Sequence, residues 1–150
     1  AISNNAGYQN QGHSSIAIGV AAGKTYQSQC AVALGYNAGN QYQGEHSVAI
    51  GYNAGYNQQG NYSIAIGNQA GETDLGANSI AIGSSTVCQN DYSVAIGYQA
   101  ETTQENQIVL GTASEKVFIP GTLEVSETTT MNNSLNIIDY MNIYNTYHEQ

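Results

Sequence analysis

A five-residue motif, a small residue followed by Ile or Val, Ala, a second branched aliphatic residue and Gly, returns along this chain at a nearly fixed interval. It reads Ser15-Ile16-Ala17-Ile18-Gly19, Ala31-Val32-Ala33-Leu34-Gly35, Ser47-Val48-Ala49-Ile50-Gly51, Ser63-Ile64-Ala65-Ile66-Gly67, Ser79-Ile80-Ala81-Ile82-Gly83 and Ser93-Val94-Ala95-Ile96-Gly97. A degenerate last copy is Gln107-Ile108-Val109-Leu110-Gly111. The closing glycines stand at positions 19, 35, 51, 67, 83, 97 and 111, so the unit is 16 residues long at first and 14 at the end. A unit this short cannot enclose its own apolar face, so the chain must stack its units into a solenoid.

Within the motif, branched side chains alternate with Ala, the period-2 pattern of a strand, and the flanking glycines interrupt any helix. Further punctuation follows each strand. Gly35-Tyr36-Asn37-Ala38-Gly39 and Gly51-Tyr52-Asn53-Ala54-Gly55 mark one turn, and Gly44, Gly60 and Gly76, with Gln43 and Gln59 before the first two, mark another. One rung is therefore a short strand, a Gly turn, an outer stretch rich in Gln, Tyr and Asn, and a second turn. The fold class is all-β, a parallel β-solenoid of 14- to 16-residue rungs in one fixed register, because a one-residue slip would exchange the two faces of every strand.

The two faces need different partners. If Ala17, Ala33, Ala49, Ala65, Ala81 and Ala95 line a narrow interior, then the stripe Ile16, Ile18, Val32, Leu34, Val48, Ile50, Ile64, Ile66, Ile80, Ile82, Val94 and Ile96 faces outward and demands a neighbouring chain. The reverse assignment is open at this point. In both cases a coil this thin calls for oligomerisation.

The repeated Ser-(Ile/Val)-Ala-Ile-Gly with its following Ala-Gly resembles the head repeat of trimeric autotransporter adhesins, the YadA-like heads. The resemblance covers roughly residues 3 to 111. It implies a left-handed parallel β-roll, a homotrimer, and a non-enzymatic attachment role toward a host cell-surface glycan or protein receptor. The 16-residue rungs and the Asn/Gln/Tyr-rich outer stretch depart from the shortest head repeats. A second segment, Val117-Phe118-Ile119-Pro120-Gly121-Thr122-Leu123-Glu124-Val125, resembles the region that follows such heads in fibre proteins of large DNA viruses and phages. The leading expectation is therefore a virion-surface fibre head. The alternatives are a bacterial adhesin head, on the outer membrane or extracellular, and a purely structural spacer.

The expected domains are residues 1–111 as head and 112–150 as neck and start of a shaft or stalk. Pro120 cannot donate to a ladder and is expected to end the regular stack. Beyond it, Leu135 and Ile137 read as strand alternation, whereas Ile137, Tyr140, Tyr144 and Tyr147 read as a heptad fragment. Ala1 opens in mid-pattern, which suggests a piece of a longer chain.

Charge removes several function classes. Acidic and basic residues make up 9% of the chain against about 25% in ordinary domains. Lys24 and Lys116 are the only Lys or Arg, and the net charge of -9 opposes nucleic acid or an anionic bilayer. No apolar run is long enough to insert into a membrane. Cofactor, metal and catalytic residues are all expected to be absent. His13, His46 and His148 share no repeat position, and Asp74, Asp91 and Asp139 form neither a calcium repeat nor a pair of catalytic acids. Four scattered Thr residues, Thr25, Thr73, Thr86 and Thr102, make no flat ladder of the kind an ice-binding face uses. Cys30 and Cys88 lie more than three rungs apart, at ~4.8 Å per rung, too far for a disulfide. Unpaired thiols suit assembly in a reducing cytosol.

Tyrosine is the informative surface residue. Tyr36 and Tyr52 share one repeat position and Tyr26 and Tyr42 another, which predicts stacked rings worth ~0.5 to 1.5 kcal/mol per pair. Tyr26, Tyr36, Tyr42, Tyr52 and Tyr56 also form the candidate receptor-contact surface, since Tyr with Asn and Gln is the composition of recognition surfaces.

Overall fold

The computed structural model describes residues 1–126. The chain divides into two units, Ala1–Val117 and Phe118–Gln150, and the strands of the described residues all lie in the first. Its strands are β1 (Gln9–Gln11), β2 (Ile16–Ile18), β3 (Thr25–Gln27), β4 (Val32–Leu34), β5 (Gln41–Gln43), β6 (Val48–Ile50), β7 (Asn57–Gln59), β8 (Ile64–Ile66), β9 (Ile80–Ile82), β10 (Val94–Ile96) and β11 (Ile108–Leu110). Among the described residues no helix is long and apolar enough to cross a membrane.

The motif strands stack as one seven-stranded parallel sheet in the order β2, β4, β6, β8, β9, β10, β11. Register is strict: Val48 pairs with Val32 and Ile64, and Ala49 with Ala33 and Ala65. The change from 16 to 14 residues leaves this ladder intact, since Ile80 pairs with Val94 and Val94 with Ile108. The two residues are lost elsewhere in the rung.

They are lost on the opposite side. The Gln- and Tyr-rich stretch is itself a strand, and β1, β3, β5 and β7 form a second, four-stranded parallel sheet. That sheet ends where the rungs shorten, with a single bridge from Asn57 to Thr73 above β7.

The interior settles which face is inside. Ala17, Ala33, Ala49, Ala65, Ala81 and Ala95 are fully buried and pack against Ala22, Ala38, Ala54 and Ala70 from the turns. Methyl groups fill the interior at these positions, and the branched aliphatic residues that flank each buried Ala point outward. Ile16 is 48% exposed and Leu34 41%. Val48, Ile50, Ile64 and Ile66 are half-buried by their neighbours within the stripe.

Polar residues complete the interior. Gln27, Gln43 and Gln59, which composition alone places on the outer stretch, are buried, and each amide spans the coil to the carbonyl of Ile16, Val32 or Val48 at 2.8 to 2.9 Å. Their Oε1 atoms have no hydrogen-bond partner among the described residues. Leu75 and Cys88 take the same place in later rungs, where their carbonyls receive the Gly60 and Gly76 N–H. The motif serines face inward too: Ser47 and Ser63 donate to the carbonyls of Gly44 and Gly60 at 2.7 Å. They close a turn inside the coil.

Among the described residues the regular ladder stops at Leu110, ten residues before Pro120, with no further strand paired to β11. A short turn succeeds it, in which Glu115 accepts hydrogen bonds from the Thr112 hydroxyl and backbone N–H. These hold the Glu115 carboxyl below the usual carboxylate range although it is fully exposed. Because the folded pKa is depressed, the turn is favoured above the ordinary Glu range and loosens as pH falls through the lowered value. An NMR titration of Glu115 should give a midpoint below the usual carboxylate range, and Thr112→Ala should raise it. The expected stalk, with Ile137, Tyr140, Tyr144 and Tyr147, lies outside the described residues.

Candidate functional site

Strict stacking turns each position of the repeat into a column. The outward aliphatic stripe forms two columns side by side, one through Ile16, Val32 and Val48 and one through Ile18, Leu34 and Ile50. A column of left-handed corners precedes it: Ser14, Cys30, His46, Tyr62, Asn78, Tyr92 and Asn106 all have φ between 54° and 58°. Such a conformation is uncommon for residues other than Gly. Here the ladders above and below impose it, as in the bond from Tyr62 N–H to the Glu45 carbonyl at 2.8 Å. On the other side, beyond the glycine column, come Val20, Tyr36, Tyr52, Asn68, Ser84 and Tyr98. Another left-handed column, Asn10, Tyr26, Tyr42, Gln58 and Asp74, runs up the second sheet.

The expected tyrosine pairs are present. Tyr26 and Tyr42 stack with centroids 5.1 Å apart and planes 6° from parallel, and Tyr36 and Tyr52 at 5.5 Å and 10°. A third pair, His46 on Tyr62 at 5.1 Å, was hidden by the change of residue type, although the two lie 16 positions apart at one phase of the repeat. About half of each paired tyrosine is exposed. Tyr56 differs from the other candidates: it is half-buried, in the column that also holds Lys24, Asn40 and Glu72.

Stacking decides what the tyrosines present. Each ring gives one face to its partner, so edges and phenolic hydroxyls are the main outward groups. A sugar ring stacking on an aromatic face would find one free only at the ends of the pairs, as on Tyr42 beside Gln58 or Tyr52 beside Asn68. The five candidates also form no single patch. Tyr26 and Tyr42 lie on the second sheet, whereas Tyr36 and Tyr52 border the aliphatic stripe.

The remaining reactive groups are dispersed. Cys30 is an exposed corner and Cys88 is interior, and both are free. Among the described residues no three His, Cys, Asp or Glu side chains are placed to hold a metal ion. The polar arrangement that sequence reading missed is an amide chain at the turn: Asn40 donates to Asn37 (3.2 Å), Asn37 to Asn53 (3.2 Å) and Asn53 to Glu72 (2.9 Å). The 16-residue spacing of Asn37 and Asn53 was the available signal.

In-register coils with an Ala interior and an outward aliphatic stripe are the geometry against which relatives can be judged. The YadA head domain repeat matches this chain. The matched residues are 43–54, 59–70, 75–100 and 89–114. The chain is also similar to the solved collagen-binding domain of the Yersinia adhesin YadA, at 26% identity over 91% of each chain and a TM-score of 0.46. No curated protein matches it. The YadA-type repeat thus spans both the 16- and the 14-residue rungs.

Proposed function

We propose that this chain is the head of a non-enzymatic adhesin, a homotrimer of left-handed β-rolls joined through the aliphatic stripe, which attaches its carrier to a host surface receptor. The observation that carries the reading is the match to the YadA head repeat on a stack whose whole aliphatic stripe is turned outward. An exposed apolar face of this length on a soluble coil marks an interface. Tyr36 and Tyr52 on one border and His46 and Tyr62 on the other extend that face with aromatic rims. If three chains meet there, the Tyr26 and Tyr42 hydroxyls on the second sheet remain available to a receptor, and three copies add avidity.

Two carriers have support of different kinds. The segment from Val117 to Val125 and the free thiols favour a virion fibre. The YadA-type repeat favours a bacterial cell surface.

Light scattering on a sizing column tests assembly, and a mass three times 15.8 kDa is the expected result. Retention of the assembled protein on intact host cells tests attachment. Tyr26→Phe with Tyr42→Phe keeps the stack and removes the hydroxyls, so weakened retention without loss of assembly is expected. A stable 15.8 kDa monomer would remove the trimer, and absent retention would leave a spacer.

A further inference from the structure

The step from 16- to 14-residue rungs opens a cleft beside the end of the second sheet. Its volume is about 170 Å³, and Gln69, Glu72, Thr73, Ser85, Thr86 and Val87 are among the residues lining it. Glu72 is the one ionisable group in that lining, half-buried and fixed at both oxygens. Oε1 accepts from Asn53 Nδ2 at 2.9 Å and Oε2 from Gln69 Nε2 at 3.1 Å.

The amide chain from Asn40 through Asn37 and Asn53 is directional. Each amide donates toward Glu72, so the chain holds the carboxylate at its end in one orientation. What the arrangement lacks is a cation. The chain has only two, and Lys116 follows β11. Lys24 belongs to the same column as Glu72, but successive bonds through the carbonyls of Lys24, Asn40, Tyr56 and Glu72 place it three rungs away, about 14 Å. An oriented carboxylate therefore stands in a cleft with lone pairs to spare and no counter-charge among the described residues.

We infer that this cleft receives the cationic side chain of a protein partner, with arginine the best fit. Two fixed carboxylate oxygens match the planar fork of a guanidinium. The hydroxyls of Thr73 and Ser85 offer further acceptors, and Val87 gives the methylene stem an apolar wall. The chain's net charge of -9 attracts a basic partner from a distance. This assignment rests on the adhesin reading and narrows its receptor to a protein with an exposed basic segment.

The test uses the purified chain, labelled for amide NMR, and a short arginine peptide compared with its citrulline counterpart. Saturable shifts at Gln69, Glu72 and Ser85 are expected, with a dissociation constant of about 1 mM or tighter. The citrulline peptide and Glu72→Gln should each bind at least about tenfold more weakly. Equal binding of the two peptides overturns the site, and so does an absence of shifts. Guanidinium ion alone binding as tightly as the peptide overturns the partner assignment, because a small-cation site would then account for the cleft. If Glu72→Gln misfolds, the two peptides on the unaltered protein still decide. Because no host cell is involved, loss of cell retention bears on the adhesin reading and loss of peptide shifts on the cleft.

Discussion

Gly51→Ala should break the stack in its middle. Gly51 has φ of +130°, a conformation reserved almost entirely for Gly, and a Cβ placed there would lie 2.8 Å from the carbonyl carbon of Gly67 in the next rung, with the Gly67 oxygen closer still. The obstacle is backbone that is itself held in the ladder, so no side chain can swing aside. Strain of ~1 to 3 kcal/mol adds to the displacement of a rung, and the sum is a large part of the ~5 to 15 kcal/mol that holds a typical domain. Because each rung is supported only by its neighbours, the damage should divide the ladder into two short stacks. Loss of the strand signal in circular dichroism, or a melting temperature lowered by more than about 10 °C, is the expected reading. A variant that melts like the parent would show that the glycine column does not need its close approach.

Ile50→Ala with Ile66→Ala should act on assembly more than on the fold. In the single chain both side chains lie on the outer surface, half-buried within their own stripe, while the interior beneath them is already filled by Ala49 and Ala65. Truncating them leaves no internal cavity. If three chains bury the stripe, each truncation costs ~2 to 5 kcal/mol per buried site, multiplied across the assembly. The double variant should therefore dissociate at concentrations where the parent stays whole, and its melting temperature should depend on protein concentration. Full assembly with unchanged heat stability would refute the stripe as the interface.

The positions of the motif strands, their parallel register and the rung length were legible in the sequence because all three follow from the phase of one short motif. Ala17 through Ala95 and the stripe beside them define two faces. Which face lies inside follows only once the second sheet closes the coil on the Ala side. The second sheet was the hidden element. Gln27, Gln43 and Gln59 carry no apolar signal, yet they fill the coil by donating across it to carbonyls of the first sheet. Leu75 at the same phase was the clue that this position is internal.

Of the candidate site, the Tyr26–Tyr42 and Tyr36–Tyr52 pairs were readable from spacing. The His46–Tyr62 pair and the Glu72 cleft were not, for different reasons. Two unlike aromatic residues conceal a shared column, whereas the cleft arises from two missing residues and has no motif of its own.

The left-handed corners separate what the chain displays from what holds it together. Ser14, Cys30, His46, Tyr62, Asn78, Tyr92 and Asn106 differ in size, polarity and reactivity, yet their backbones are nearly superimposable, with φ within a few degrees. The ladder fixes the peptide and leaves the side chain as a free choice. Each corner thus behaves like a slot in a type-case, where one character can be exchanged without resetting the line. A chain built this way can rewrite its outer surface one residue at a time while its cross-section stays constant.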